Sequence, residues 1–432
     1  MKQYRQDLNE MKHFLLLWAT QAVSALGSAM TAYALVIWSY TQEGSALKTA
    51  LLMVASYAPY VLCSLFAGVI SDRWNKKYTL LVCDALAAAC TLAVLYLLKT
   101  DRLAIWHLYV VNAVSGLMNT VQQPASEVMT TAILPRKHYQ KVGGMRYLSN
   151  SANSILTPIL ATAILGLGGI DVVIAIDLVS FLLAAFVLFF FIPMPLQPDS
   201  TEQKESFFQS VRTGLRFLKE HLGIFHLMLF LAAINLVASM YNAAFPAMML
   251  SKPDAGETAM GIVNTVVGVA SLLGSVIATF TKTPKNRVKT IWICLMISMS
   301  TENFFLAFGN TTLVWSIGAF LGWILIPLMS TNLEAVYRLS IPQEIQGRVF
   351  AARNSFQFFT IPLGYFLGGA LVDHVFEPIM ELQQAESLLL RLFGIGKGSG
   401  AACFFAVIGV LGMLVCLLFR NDKHIFAIKE TE

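Results

Sequence analysis

Charged residues are scarce in this chain of 432 residues. Asp, Glu, Lys and Arg make up only 13% of it, whereas 56% of the residues are hydrophobic, and a soluble domain usually has about a quarter of its residues charged. A chain this apolar cannot cover itself with polar surface, which excludes a soluble globular protein. It is also too hydrophobic to be disordered. The net charge of +5 is small and spread over many loops, so we expect no nucleic-acid partner. The composition indicates a polytopic membrane protein.

Residues that would form a metal or catalytic site are also lacking. All six cysteines lie inside apolar runs and none forms a CxxC pair, which argues against a disulfide framework or a zinc site. Residues 394–400 look like a phosphate loop, but no Ser or Thr directly follows Lys397 and no strand precedes it. We therefore expect no metal, no cofactor and no enzyme activity, with an ion gradient as the energy source. A membrane acyltransferase is the alternative from another class, and it would need a reactive His/Asp or Cys/His group.

Long apolar runs dominate the chain. A membrane-spanning helix needs about 20 mainly apolar residues, and the first run is too long and too polar for a signal peptide. The sequence predicts an all-α integral membrane protein with twelve transmembrane helices, at 13–40, 49–70, 78–98, 104–131, 145–167, 172–192, 224–249, 258–280, 289–308, 312–337, 349–373 and 400–419.

The basic residues predict the orientation. With both termini in the cytoplasm, 24 of the 30 Lys and Arg residues fall on the inner side and the other six on the outer side, as the positive-inside rule requires. We expect a multi-pass protein of the cell membrane, specifically of a bacterial inner membrane.

A connector divides the spans into two groups of six. Prolines at 193, 195 and 198 end the sixth span, and apolar residues then recur at helical spacing from Phe207 to Leu218, which is typical of a helix lying in the headgroup layer. The predicted domains are an N-terminal six-helix bundle at 1–195, a cytoplasmic amphipathic linker at 196–222 and a C-terminal six-helix bundle at 223–432.

The two halves repeat one pattern. Glu127, Pro135, Lys141 and Arg146 are matched by Glu334, Pro342, Arg348 and Arg353, each 207 residues later. Four matches in one register predict two bundles related by pseudo-twofold symmetry. Transporters of this kind bind substrate between their halves and alternate access by rocking.

One loop carries a family signature. Residues 68–77 read GVISDRWNKK, which resembles the G-x-x-x-D-R-x-x-R/K-K/R motif of the major facilitator superfamily in the same loop. Segments 21–28, 49–59 and 341–350 look like the macrolide-efflux type, in the drug:proton antiporter-3 branch. The resemblance implies a secondary exporter of macrolides, siderophores or peptide products.

Charged residues near the inner ends of spans predict a gate. Arg146 and Arg353 are within reach of the two repeated glutamates, and their ion pairs would form in one state and break in the other. A permanent structural pair is the alternative. Just before the third span, Asp72 can favour that helix's positive end and hold Arg73 or the start of the eleventh span. By resemblance, Asp72 helps to latch the outward-facing state; an inert surface cap is the alternative.

Five carboxylates lie within the predicted spans, where an ionisable group usually faces a partner or a water-filled cavity. They are Asp84, Glu127, Asp177, Glu302 and Glu334. A proton-coupling carboxylate must bind and release protons near neutral pH, as burial can allow. Asp84, Glu127 and Glu334 are the candidates for this role.

Polar residues recur at helical spacing on several spans, and such faces cannot point to lipid. They form a stripe on the first span, at Gln21, Ser24, Ser28 and Thr31, and recur on the fourth span, at Asn112, Asn119, Gln122 and Gln123. They form either helix–helix contacts or a cavity for a large amphipathic solute. By family analogy spans 1, 4, 7 and 10 line that cavity. The predicted substrate-binding residues are Gln21, Asn119, Asn235, Trp323, Tyr241 and Gln357.

These patterns predict a secondary active exporter of hydrophobic or amphipathic molecules, driven by the proton gradient. Its expected partners are a small-molecule substrate and membrane lipids, and we expect a monomer. A lipid or lipid-linked flippase of the same architecture is the alternative function.

Overall fold

The computed structural model describes the backbone at residues 2–73, 75–133, 139–192, 216–253, 255–342, 345, 349, 353, 357–384, 386–426 and 428. Its side chains are described there except at 2–9, 64–73, 124, 127–128, 131–132, 139–144 and 147. Within these ranges the regular structure is helical and contains no strand. The chain divides into two compact units, unit 1 with Met1–Leu35 and Leu62–Lys204, and unit 2 with Val36–Val61 and Glu205–Glu432.

In the part of unit 1 that the structure describes, five helices are present. They are the first part of α1 (Lys2–Glu43), the second part of α2 (Ala46–Arg73), α3 (Lys76–Lys99), α4 (Ile105–Ala132) and α5 (Tyr139–Phe191). α3 packs against both α4 and α5. Gly169 breaks α5 with a φ of 73°, a conformation that glycine adopts without strain. The break falls between the predicted spans 145–167 and 172–192.

The second segment of α5 runs antiparallel to α3. At one end Lys99 pairs with Asp171. At the other end the Lys77 ammonium donates to the carbonyl oxygens of Phe189 at 2.9 Å and Ile192 at 2.6 Å, where the negative end of the helix dipole favours a cation. The His13 ring on α1 lies 3.0 Å from the Phe191 carbonyl oxygen at this same end. Unit 1 therefore has a Lys77 end and a Lys99 end.

Unit 2 contains ten further helices among the described residues. They are α6 (Leu222–Ser251), α7 (Glu257–Phe280), α8 (Arg287–Phe308), α9 (Thr312–Trp323), α10 (Ile326–Ser340), α11 (Thr360–Leu371), α12 (Glu377–Glu381), α13 (Leu388–Phe393), α14 (Ser399–Phe419) and α15 (Lys423–Phe426). α6 packs against α11 and α14, and α8 packs against α9, α10 and α14. Small residues permit the close crossing of α11 and α6, since a Cβ added to Gly364 of α11 would lie 2.5 Å from the Leu236 carbonyl oxygen.

Two predicted spans differ in detail from the helices observed. The span predicted at 312–337 is divided into α9 and α10, with Pro327 in the first turn of α10, where proline's missing N–H costs nothing. In the span predicted at 349–373, α11 continues through a π-helical turn, Val372–Phe376, into α12.

Asp373 in that π-helical turn explains why the hairpin between α1 and α2 belongs to unit 2. Its carboxylate accepts hydrogen bonds from the Ser45 hydroxyl at 2.5 Å and from the backbone N–H groups of Ala46 and Leu47 at 2.9 Å. These donors form the N-terminal end of α2, which a carboxylate stabilises.

Nine helical stretches among the described residues are long and apolar enough to cross a membrane. The stretch Leu148–Phe191 contains the break at Gly169, and Thr312–Ser340 contains the division between α9 and α10. The all-helical membrane architecture is confirmed. The count of twelve spans and the domain bounds 1–195, 196–222 and 223–432 stay predictions.

Candidate functional site

Asp84 lies on the packed face of α3 in unit 1. Its side chain is 4% exposed and follows Leu80 and Cys83 on the buried face of the helix. The Gln21 amide of α1 donates to one carboxylate oxygen at 3.2 Å, and the Gln122 amide of α4 donates to the other at 2.8 Å. Three helices therefore meet at one carboxylate.

The contact between Gln21 and Asp84 links two residues that were predicted to have different roles. The sequence assigned Gln21 to substrate and Asp84 to protons, whereas in the structure these two side chains bind each other. Gln122 was only one of several polar residues on the fourth predicted span, and its role as a partner was missed. Among the described residues no cation pairs with Asp84, so its negative charge is balanced only by amide dipoles.

Glu302 on α8 is the corresponding buried carboxylate of unit 2, with 5% exposure. The Trp323 indole N–H at the end of α9 donates to it at 2.8 Å, and the Tyr241 hydroxyl of α6 interacts with it as well. Gly322 leaves room for this contact, because a Cβ there would lie 2.7 Å from the Glu302 Cβ. Trp323 and Tyr241 were predicted to bind substrate; both contact this carboxylate.

A third carboxylate, Asp177, is 1% exposed in the second segment of α5. The Ser28 hydroxyl of α1 donates to its Oδ1 at 3.1 Å. Ser28 and Gln21 stand seven residues apart on α1, which places them on the same face of the helix. The polar stripe predicted on the first span therefore binds two buried carboxylates within unit 1.

Two other predicted substrate-binding residues lie where α11 approaches α6. The Asn235 amide donates to the Gln357 backbone carbonyl at 3.2 Å, and the Thr360 hydroxyl donates to the Ala232 carbonyl at 2.8 Å. The Gln357 Oε1 atom is buried and has no hydrogen-bond partner among the described residues. Asn119, in contrast, is exposed on α4.

The predicted gate is described only in part. Glu334 accepts a 2.7 Å hydrogen bond from Arg338, one turn later on the same helix. The Arg353 guanidinium lies over the Tyr337 ring, 5.4 Å from its centre, and Arg146 is half-buried. The side chains of Asp72, Arg73 and Glu127 lie outside the described residues. At the start of α3, the Asn75 side chain accepts hydrogen bonds from two backbone N–H groups and so caps the helix.

Asp422 forms a polar contact beyond the last apolar helix. His226 at the start of α6 lies 2.7 Å from its Oδ2, and its Oδ1 accepts from the N–H groups of His424 and Ile425. Burial acts to raise the pKa of Asp422, but the hydrogen bonds and charge of His226 together with the two backbone donors lower it below its ordinary value. This carboxylate stays charged and caps α15.

Comparison with known proteins agrees with the helical architecture. The family model described as Major Facilitator Superfamily matches residues 17–364. Macrolide efflux protein A of Streptococcus pyogenes is 22% identical over 366 residues, which cover 84% of this chain and 90% of that protein. Multidrug efflux pump Tap of Mycolicibacterium fortuitum is 23% identical over 378 residues, which cover 83% of this chain and 88% of Tap.

The fold of a solved structure is also similar. The nucleoside transporter NupG superposes with a TM-score of 0.68 at 12% identity, over 96% of this chain and 100% of that one. Because the family model matches most of the chain, the resemblance predicted from residues 68–77 is confirmed: the protein belongs to the major facilitator superfamily of multi-pass membrane transporters.

Proposed function

We propose that this protein is a secondary active exporter of hydrophobic or amphipathic small molecules that works by alternating access in exchange for protons. It would lie in a bacterial inner membrane with both termini in the cytoplasm. The assignment to export is supported by the relatives named for macrolide and multidrug efflux. The proton gradient would supply the energy, without a cofactor.

The observation that carries proton exchange is the Asp84 carboxylate. A charge at this depth is costly unless it is paired or can be neutralised, and its described partners are two neutral amides. An amide side chain has both donor and acceptor atoms. The Gln21 and Gln122 amides can therefore hold the charged carboxylate by donating and the neutral acid by accepting its proton.

Substrate would act on this site through α1. Gln21 is bound to Asp84 and is also a candidate substrate-binding residue, so a solute that displaced its amide would remove one of the donors that stabilise the charged form. This competition couples solute binding to proton binding. Asn119, Asn235 and Gln357 are the remaining candidates for amide contacts to the solute.

Transport by the full-length protein in proteoliposomes tests this proposal. With an imposed pH gradient and radiolabelled erythromycin as the probe, we expect gradient-dependent movement that a protonophore abolishes. Asp84→Asn should reduce this movement to the level of protein-free vesicles, because the amide cannot carry a proton across. Asp171→Asn is the matched control, since Asp171 is an exposed partner of Lys99 in the same unit.

Two results would contradict the proposal. Normal gradient-driven transport by Asp84→Asn would exclude Asp84 as the proton site. Movement of the probe, or of a fluorescent lipid, that persists after the gradient has collapsed would favour a uniporter or a lipid flippase instead.

A further inference from the structure

Asp177 occupies a pocket made by close contact between α1 and the second segment of α5. A Cβ added to Gly27 would lie 2.7 Å from the Ser180 hydroxyl and 3.1 Å from the Asp177 Cα atom. The Ser180 hydroxyl itself donates to the Asp177 backbone carbonyl at 2.7 Å. A larger residue at position 27 would push Ser180 and the α5 backbone away, so Gly27 keeps the two helices close and brings the hydroxyls of α1 to the carboxyl group.

Two hydroxyls of α1 face the Asp177 carboxyl. Ser28 donates to it at 3.1 Å. The Thr31 hydroxyl lies near the same group, is buried, and makes no hydrogen bond of good geometry to any described residue. Thr31 therefore leaves a polar atom available to the carboxyl group inside an otherwise apolar contact.

Hydroxyls suit a carboxyl group that changes its protonation state. A hydroxyl has one donor and two acceptor lone pairs, and its hydrogen rotates freely. When Asp177 is charged, the hydroxyl donates to the carboxylate; when it is neutral, the acid O–H donates to the hydroxyl oxygen. No heavy atom has to move in this exchange.

No cation is described as a partner of the Asp177 carboxyl group among the residues that the structure describes. Lys99 of α3 and Asp171 of α5 pair with each other at the end of unit 1. The Tyr33 ring of α1 packs in the neighbouring apolar cluster with Val173. The described partners of the Asp177 carboxyl group are the Ser28 and Thr31 hydroxyls. Neutralisation by a proton is the remaining way to lower the cost of a buried charge.

The face of α1 that carries Ser28 also connects Asp177 with Asp84. Gln21 and Ser28 are separated by two helical turns, or about 10 Å, and Ser24 between them is buried. Asp84 lies toward the Lys77 end of unit 1 and Asp177 toward the Lys99 end. The two carboxyl groups thus occupy opposite halves of the unit on one polar stripe.

We propose that Asp177, with the hydroxyls of Ser28 and Thr31, forms a second proton-binding site, linked to Asp84 through α1. A proton from water adds to a carboxylate oxygen to give the neutral acid, and the Ser28 hydroxyl changes from donor to acceptor; release reverses both events. The site's part in transport depends on the proposed function, but its protonation does not.

Infrared spectroscopy of the purified full-length protein in lipid bilayers tests the site directly. Between about pH 5 and pH 9, we expect C=O bands of protonated carboxyl groups that disappear as the pH rises. Asp177→Asn should lack one of these bands, whereas Asp171→Asn should retain them all. Spectra of Asp177→Asn with every pH-dependent band intact would overturn the proposal.

A second variant keeps the carboxyl group and removes its partners. Ser28→Ala combined with Thr31→Val should move the Asp177 band to higher frequency, because the neutral acid loses its hydrogen bonds. An unchanged frequency would overturn the assigned pocket, even if Asp177→Asn failed to fold. If the wild-type protein shows these bands but no gradient-driven transport, the proposed function fails and the proton site stands.

Discussion

The buried carboxylates of the two units are held by different kinds of partner. Asp84 in unit 1 is bound by two amides at the ends of long, flexible side chains. Glu302 in unit 2 is bound by an indole N–H, which can only donate, and lies beside the Tyr241 hydroxyl. Both amides can donate to the charged form of Asp84 or accept from its neutral form, whereas at Glu302 the indole N–H cannot accept and only the Tyr241 hydroxyl could do so. Asp84 is therefore the better suited of the two to exchange protons, and we expect Glu302 mainly to join helices.

Packing around Glu302 supports this distinction. Tyr241 lies 5.7 Å from the Phe245 ring and 5.3 Å from the Phe405 ring, measured between ring centres, so its hydroxyl has little freedom to turn away. The contacts of Glu302 connect α6, α8 and α9. Loss of Glu302 would leave the Trp323 N–H and the Tyr241 hydroxyl fixed in place without their acceptor. Loss of Asp84 would also remove contacts between helices, but the long Gln21 and Gln122 side chains can turn to other partners.

The largest expected effect on stability comes from Glu302→Leu. It leaves the Trp323 N–H and the Tyr241 hydroxyl buried without their acceptor, at a cost of about 1–3 kcal/mol for each unpaired group. Thermal unfolding of the purified protein in detergent, followed by circular dichroism, should show a clearly lower Tm. Glu302→Gln is the control, because its amide oxygen still accepts from the indole.

The same two variants also test whether the buried carboxylates of the two units differ in function. If Glu302→Gln keeps its Tm but loses proton-driven transport as completely as Asp84→Asn, then Glu302 also carries protons and the two units do not differ in this respect.

A smaller loss of stability is expected for Gly322→Ala. The added methyl group would lie 2.7 Å from the Glu302 Cβ and 3.0 Å from its Oε2 atom, so α8 and α9 must separate slightly, at about 1–3 kcal/mol for an overpacked site. The Tm in detergent measures this cost. Gly166→Ala is the matched control, since a Cβ there meets nothing within 4 Å. Equal Tm values for the two variants would show that the contact beside Glu302 relaxes freely.

Local signals in the sequence predicted much of the fold. Apolar runs separated by polar residues predicted the break near Gly169, and the motif at 68–77 predicted the family. Burial of Asp84 and of the polar stripe on α1 also followed from the sequence, because polar groups in an apolar helix must avoid lipid.

Partners across helices could not be predicted in the same way. Spacing along one helix shows which residues share a face, but the neighbour that they meet depends on how each helix is rotated in the packed unit. Tyr241, Glu302 and Trp323 are far apart in the chain, and their contact therefore had no signal in the sequence. Glu334 and Arg338, four residues apart, form the ion pair that helical spacing does allow.

The smallest expected effect concerns the contact of Asp422 with His226, far from both buried carboxylates. Because the folded state lowers the pKa of Asp422, its charge contributes stability above the ordinary pKa of aspartate, near 4, and that contribution is lost as the pH falls through the lower folded value. At pH 7, Asp422→Asn should lower the Tm by an amount equivalent to less than about 1 kcal/mol. The difference from wild type should shrink as the pH falls below the ordinary pKa of aspartate and should vanish once the pH is below the lower folded pKa, where Asp422 is neutral.

Asp422→Ala separates the charge from the helix cap. It also removes the acceptor for the N–H groups of His424 and Ile425, so hydrogen exchange at these amides should accelerate more than in Asp422→Asn. If both variants exchange at the same rate, the charge rather than the cap holds α15. If the Tm difference persists at every pH at which the protein stays folded, the contact with His226 is not electrostatic.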